Sequence, residues 1–187
     1  MKELFIKYRS VIRFLVIFLG TYAVLGFLYS IYLDLSKDSI YYPDYVTHMV
    51  AKQSNGIINS LGYYAEIKPN KNEPSMNLFI NGRHLARIIE GCNALSIVIL
   101  FISFVLAFAQ NFKKTLLFIF VGTILIYVVN ILRIVILAIS IYKYPEYKEI
   151  LHSVVFPGII YGMVFLLWIY WVRNLDLQTK IEDEKTV

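Results

Sequence analysis

Stretches of apolar sequence long enough to cross a bilayer occur four times in this chain, and no other feature restricts its fold as much. Val11 to Leu33 carries a single charge, Arg13, near its start. As a helix these 23 residues extend about 34 Å, against a hydrocarbon core of about 30 Å. A second run covers 92–109 without a charge, a third covers 115–142 with Asn130 and Arg133 inside it, and a fourth covers 152–172. The fourth ends in Trp168-Ile-Tyr-Trp171, the amphipathic aromatic belt that favours a membrane interface. The first run is too long for the apolar part of a signal peptide, and no small-x-small cleavage site follows it. These spans predict an all-α integral membrane protein, a bundle of about four transmembrane helices.

Composition narrows the alternatives. Only 17% of the 187 residues are charged and 58% are hydrophobic, whereas soluble domains are about a quarter charged. The length suits one domain, and so much aliphatic and aromatic surface excludes a disordered chain. Cys92 is the only cysteine, which excludes a disulfide scaffold. The net charge of +5 could suggest a nucleic-acid partner, but the apolar runs make the lipid bilayer the expected partner and nucleic acid none.

Basic residues orient membrane helices, because loops rich in Lys and Arg stay in the cytoplasm. Lys2, Lys7, Arg9 and Arg13 cluster at the first span with only Glu3 opposing them, and the 110–114 turn holds Lys113 and Lys114 with no acid. The 143–150 turn is balanced, Lys143 and Lys148 against Glu146 and Glu149. The expected topology puts the N-terminus, the Lys113–Lys114 turn and the 173–187 tail in the cytoplasm. The 34–91 segment and the 143–150 turn then lie on the extracytoplasmic side of the inner membrane.

That outer segment carries its own signals. Pro43-Asp44 marks a helix start, after which Val46, Met49, Val50, Ile57, Ile58 and Leu61 recur at helical spacing. The result is an amphipathic helix that either lies on the outer leaflet or belongs to a small folded cap with its own core. Lys68 to Pro74 is polar and reads as a loop tip, and Asn81-Gly82 between two apolar stretches predicts a β-hairpin. The tail after Arg173 is polar and predicted to be disordered.

Cys92 stands where the hairpin ends and the second span begins, with Asn93 and Gly91 as capping candidates. Unpaired N–H groups at a helix start favour a thiolate there, although a small apolar residue packed at a helix end would fit the position equally. Arg133 is the sharper anomaly. A charge at the centre of a membrane helix costs about 2.5–3.5 kcal/mol on insertion scales, so it normally faces protein or a wet cavity. Asn130 lies on the same helix face; the alternatives for Arg133 are snorkelling to headgroups or a pair with Glu90. His152 opens the fourth span, where it is a catalyst or an interfacial cap. His48 and His84 carry weaker signals, and the scattered histidines offer no metal-ligand spacing; no metal or cofactor is expected. On the expected topology Cys92, Arg133 and His152 sit on three helices at one depth. A nucleophile, a fixed positive charge and a base are what acyl transfer through a thioester requires.

Glu90-Gly-Cys92-Asn-Ala-Leu-Ser at a helix start, Asn130-x-x-Arg133 in the next span and His152 opening the one after resemble the exosortase/archaeosortase family, and the short length resembles its compact F-type branch. The resemblance covers about Tyr45 to Trp171. It implies an integral membrane cysteine protease/transpeptidase acting on exported proteins that end in a short motif, a transmembrane helix and a basic tail. It implies Cys92 as nucleophile, Arg133 as oxyanion or substrate-positioning residue and His152 as acid/base, with Glu90, Asn93 and Asn130 supporting. Many members have a small residue and then glycine after the cysteine, where this chain has Asn93-Ala94, and about eight helices rather than four. The rivals are a non-enzymatic subunit of a transport or secretion complex, with Arg133 structural, and a membrane acyltransferase using Cys92 on a lipid donor.

Overall fold

The computed structural model describes residues 8–36, 40–70, 72–109 and 111–185. Lys2, Glu3 and Lys7 of the topology reading, and Lys71 of the loop, lie outside these residues. Helix α1 (Arg9–Ser36) leads to α2 (Tyr45–Ser60) and to strands β1 (Ala65–Pro69), β2 (Ser75–Ile80) and β3 (Arg83–Ile89). A 3-10 turn, Glu90–Cys92, joins β3 to α3 (Leu95–Ala107), which is followed by α4 (Phe112–Lys143). Irregular helical turns over 145–155 then lead into α5 (Phe156–Lys185).

Local chemistry sets the boundaries. The Asp44 carboxylate accepts the N–H groups of Val46 and Thr47, both at 3.0 Å, so α2 starts at the expected cap. The Asn111 side chain accepts those of Lys113 and Lys114 at the start of α4. Asn81 and Gly82 both take left-handed conformations, φ 50° and 76°, which a two-residue turn between antiparallel strands demands.

The hairpin is part of a larger sheet. Strand β1 also pairs with β2, from Ala65 opposite Ile80 to Pro69 opposite Met76, giving an antiparallel sheet in the order β1-β2-β3. Against this sheet and the upper half of α4, helix α2 buries Val50, Ala51 and Ile58 beside Met76, Leu78, Ile80, Ile134 and Ala138. Its apolar face is therefore spent on protein. Of the two sequence readings the folded cap holds, although its core is shared with α4. A second core lies lower, where Val98, Phe101 and Val105 of α3 meet Ile126 of α4 and Val164 and Trp171 of α5. Along α1, Phe14 and Phe18 pack on Phe104 of α3, and Phe14 also on Phe108 just after it. Outward-facing side chains such as Val16 (66% exposed), Phe120 (63%) and Leu166 (66%) leave α1, α4 and α5 apolar where they meet lipid.

Two expectations need correction. Among the described residues, three helices are long and apolar enough to cross a membrane, Arg9–Ser36, Phe112–Lys143 and Pro145–Asn174, rather than four. The predicted 92–109 span becomes α3, only 13 residues and about 20 Å long, because its first residues are used in turns and Ala94 leaves the helical region with φ 64°. The tail is the second case. The helical backbone continues through Lys185, in keeping with the helix-forming Leu, Gln, Lys and Glu of that stretch.

Candidate active site

The residue that closes the 3-10 turn after β3 is Cys92, so it precedes α3 by a short bend instead of opening the helix. Asn93 makes that bend rigid. It is buried; its Oδ1 accepts the Leu95 N–H at 2.9 Å, and its Nδ2 donates to Thr47 Oγ1 and Tyr29 OH, both at 3.1 Å. One amide thereby ties α1, α2 and the start of α3 together, with no spare polar atom left unpaired in a buried place. Next, Ala94 adopts the left-handed conformation, which turns the chain into α3.

From the other side the turn is held by α4. Asn130, fully buried, donates from Nδ2 to the Cys92 carbonyl at 2.6 Å. One turn further along, Arg133 Nη1 reaches Asn130 Oδ1 at 3.5 Å. Its Nε is buried without a partner, and among the described residues Arg133 forms no ion pair, unlike Lys68 with Glu66 and Arg87 with Glu73. The expected alternative of a pair with Glu90 is thus not realised. A guanidinium packed between apolar walls with an unused donor is costly unless something fills it.

His152 arrives from the third direction. It is exposed and lies in a π-helical turn, Leu151–Val155, just before α5; such turns widen the helix and recur at functional sites. A cavity of about 270 Å³ brings the three together: Cys92, Arg133 and His152 all line it. Its remaining wall is mostly apolar, from β3 (Ala86, Ile88) and α4 (Ile134, Leu137, Ala138, Ile141), with Arg87 and Lys148 as further cations. Glu90 instead lines a neighbouring depression with Glu73 and Gly91. Sequence reasoning passed over Tyr29 and Thr47, which fix Asn93, and over Arg87 and Lys148 as cavity residues. Only their charges marked the last two, and nothing marked the first two. A thiol, an imidazole and a fixed cation in one mostly apolar cavity have the equipment for attack on a carbonyl, stabilisation of the resulting oxyanion and proton transfer.

Comparison with known proteins identifies the family. A family model described as transmembrane exosortase matches residues 9–172, from the start of α1 to the last turns of the membrane-spanning part of α5. No curated protein and no solved structure matches the chain. The match takes in both cores, the cap and every residue of the cavity, and on that extent the chain, a multi-pass membrane protein, belongs to the transmembrane exosortase family.

Proposed function

We propose that this protein is a membrane cysteine protease/transpeptidase that cleaves C-terminal sorting signals of exported proteins, with its active site on the extracytoplasmic side of the cytoplasmic membrane. The observation that carries the reading is the single cavity lined by Cys92, Arg133 and His152 from three separate elements. The Cys92 thiolate attacks the scissile carbonyl and the S–C bond forms, placing negative charge on the carbonyl oxygen. Arg133 stabilises that oxygen. As the C–N bond breaks, His152 delivers a proton to the departing amine nitrogen. The acyl group then passes from sulfur to an acceptor, with His152 taking the acceptor's proton. Asn130 and Asn93 position the cysteine, and no cofactor enters the scheme. The basic turn Lys113–Lys114 at the far end of α3 supports the orientation.

The test is co-expression with an exported protein from the same genome that ends in a motif, a membrane helix and a basic tail. Loss of the tail is followed by mass. Processing should vanish with Cys92→Ala while the variant stays in the membrane; full processing by that variant would remove the enzyme reading.

A further inference from the structure

Away from the cap, the packing of α1 on α3 stops short of the end of the bundle. Phe14 and Phe18 hold α1 against Phe104, but α3 ends at Ala107. A groove of about 440 Å³ remains beside the first turns of α1. Ser10, Arg13, Phe14 and Ile17 line it from α1, Leu106 and Phe108 line it from the end of α3, and no carboxylate does. The four α1 residues follow the i, i+3, i+4, i+7 spacing of one helix face. The floor is aromatic: the rings of Phe14 and Phe108 stand 4.6 Å apart, and Phe108 lies 5.1 Å from Phe104, which stacks on Trp168 at 4.3 Å. Among the described residues neither the Arg13 guanidinium nor the Ser10 hydroxyl has a hydrogen-bond or ion-pair partner. Lys113 and Lys114, both exposed, follow shortly after Ala109, the last residue of the groove.

We propose that this groove binds an anionic phospholipid of the cytoplasmic leaflet, with its phosphate on Arg13 and Ser10 and an acyl chain along Phe14, Ile17 and Leu106. The planar guanidinium fork can give a phosphate two parallel N–H bonds, and the serine hydroxyl one turn earlier adds a third donor. Basic pockets between membrane helices on the cytoplasmic side suit anionic headgroups, and Lys113 and Lys114 add positive charge at that level. A lipid fits better than a soluble anion because the apolar part of the groove lies within the helices' membrane span, where acyl chains are the surrounding medium. The site is separate from the catalytic cavity. Arg13 stands about 24 Å along α1 from Tyr29, which bonds Asn93 beside Cys92. The choice of leaflet follows from the orientation proposed above, whereas the binding itself does not depend on the protease reading.

The test offers the full-length protein, in neutral detergent, equal amounts of phosphatidylglycerol and phosphatidylcholine with matched acyl chains. Native mass spectrometry counts the lipids that stay bound. One phosphatidylglycerol should be retained in preference to phosphatidylcholine. Arg13→Gln should weaken that retention by roughly tenfold, as loss of a charge-assisted hydrogen bond implies. Arg13→Lys, which keeps the charge without the fork, should weaken it less. Arg13 is exposed, so its replacement leaves the packing of α1 intact. Ala107→Phe keeps every charge but fills the groove, and it should evict the lipid as well. Equal retention of the two lipids would overturn the proposal. So would loss of binding with the double variant Lys113→Gln/Lys114→Gln but not with Arg13→Gln, which would give the lipid to diffuse charge at the turn. Displacement of the bound lipid by inorganic phosphate would assign the donors to a soluble anion and overturn it too.

Discussion

At the scale of single residues, the candidate site is held by amides and left open at its charges. Asn130 satisfies the Cys92 carbonyl and touches Arg133, so Asn130→Ala should do two things. An unsatisfied buried carbonyl costs about 1–3 kcal/mol, and Arg133 loses its one side-chain partner. The expected outcome is a variant that reaches the membrane yet forms its acyl-enzyme slowly, measured by single-turnover trapping at Cys92. Arg133 itself separates two roles. If its planar fork holds an oxyanion, Arg133→Lys keeps the charge but loses the geometry and should impair processing nearly as much as Arg133→Ala. Near-normal processing by the lysine variant would remove the arginine from the chemistry. Ala94 is the third case. At φ 64° a residue with a side chain carries a cost of about 1–2 kcal/mol, and glycine, which the resemblance places at this position in many members, does not. Ala94→Gly should therefore process normally, whereas Ala94→Val, β-branched where φ is positive, should lower both membrane levels and processing on a blot.

The elements differ in how far their residues announced them. α1, α4 and α5 were legible because hydropathy alone decides whether a helix of that length enters lipid. The start of α2 and the β2-β3 turn were legible because Asp44 and Asn81-Gly82 act locally. Strand β1 was not. Ala-Glu-Ile-Lys-Pro has little strand character of its own, and it becomes a strand because the free edge of β2 pairs it. The extent of α3 was also hidden, since composition reports apolar length and says nothing of the left-handed residue that starts a helix late. In the site, Cys92, Arg133 and His152 stood out as misplaced chemistry, while Tyr29 and Thr47 are ordinary residues until folding brings them to Asn93. One element-scale contact can be tested on its own. A Cβ on Gly122 of α4 would run into the ring of Phe101 on α3, and Phe101 is fully buried. Gly122→Ala should destabilise the α3–α4 packing by about 1–3 kcal/mol, the usual cost of overpacking, seen as a lower unfolding temperature in detergent. An unchanged temperature would mean the two helices separate freely.

For the whole molecule, orientation is the measurable property. On the proposed topology Cys92 faces outward, and as the only cysteine it can be labelled in intact cells by a membrane-impermeant maleimide with no engineering. Labelling that appears only after the cytoplasm is opened would reverse the topology. The depth of the site follows from α4. Asn130, bonded to the Cys92 carbonyl, stands about 22 Å along the helix from Thr115, and a hydrocarbon core is about 30 Å thick. With the inner boundary of the bilayer at Thr115, the proposed topology sets the proposed thioester several ångströms beneath the outer surface, under the cap. Water is dilute there, whereas lipid headgroups form a concentrated, oriented layer just above. An acyl-enzyme formed at that depth outlives one formed in bulk solvent, and its fate turns on which nucleophiles share its layer of the bilayer more than on their abundance in the surrounding fluid.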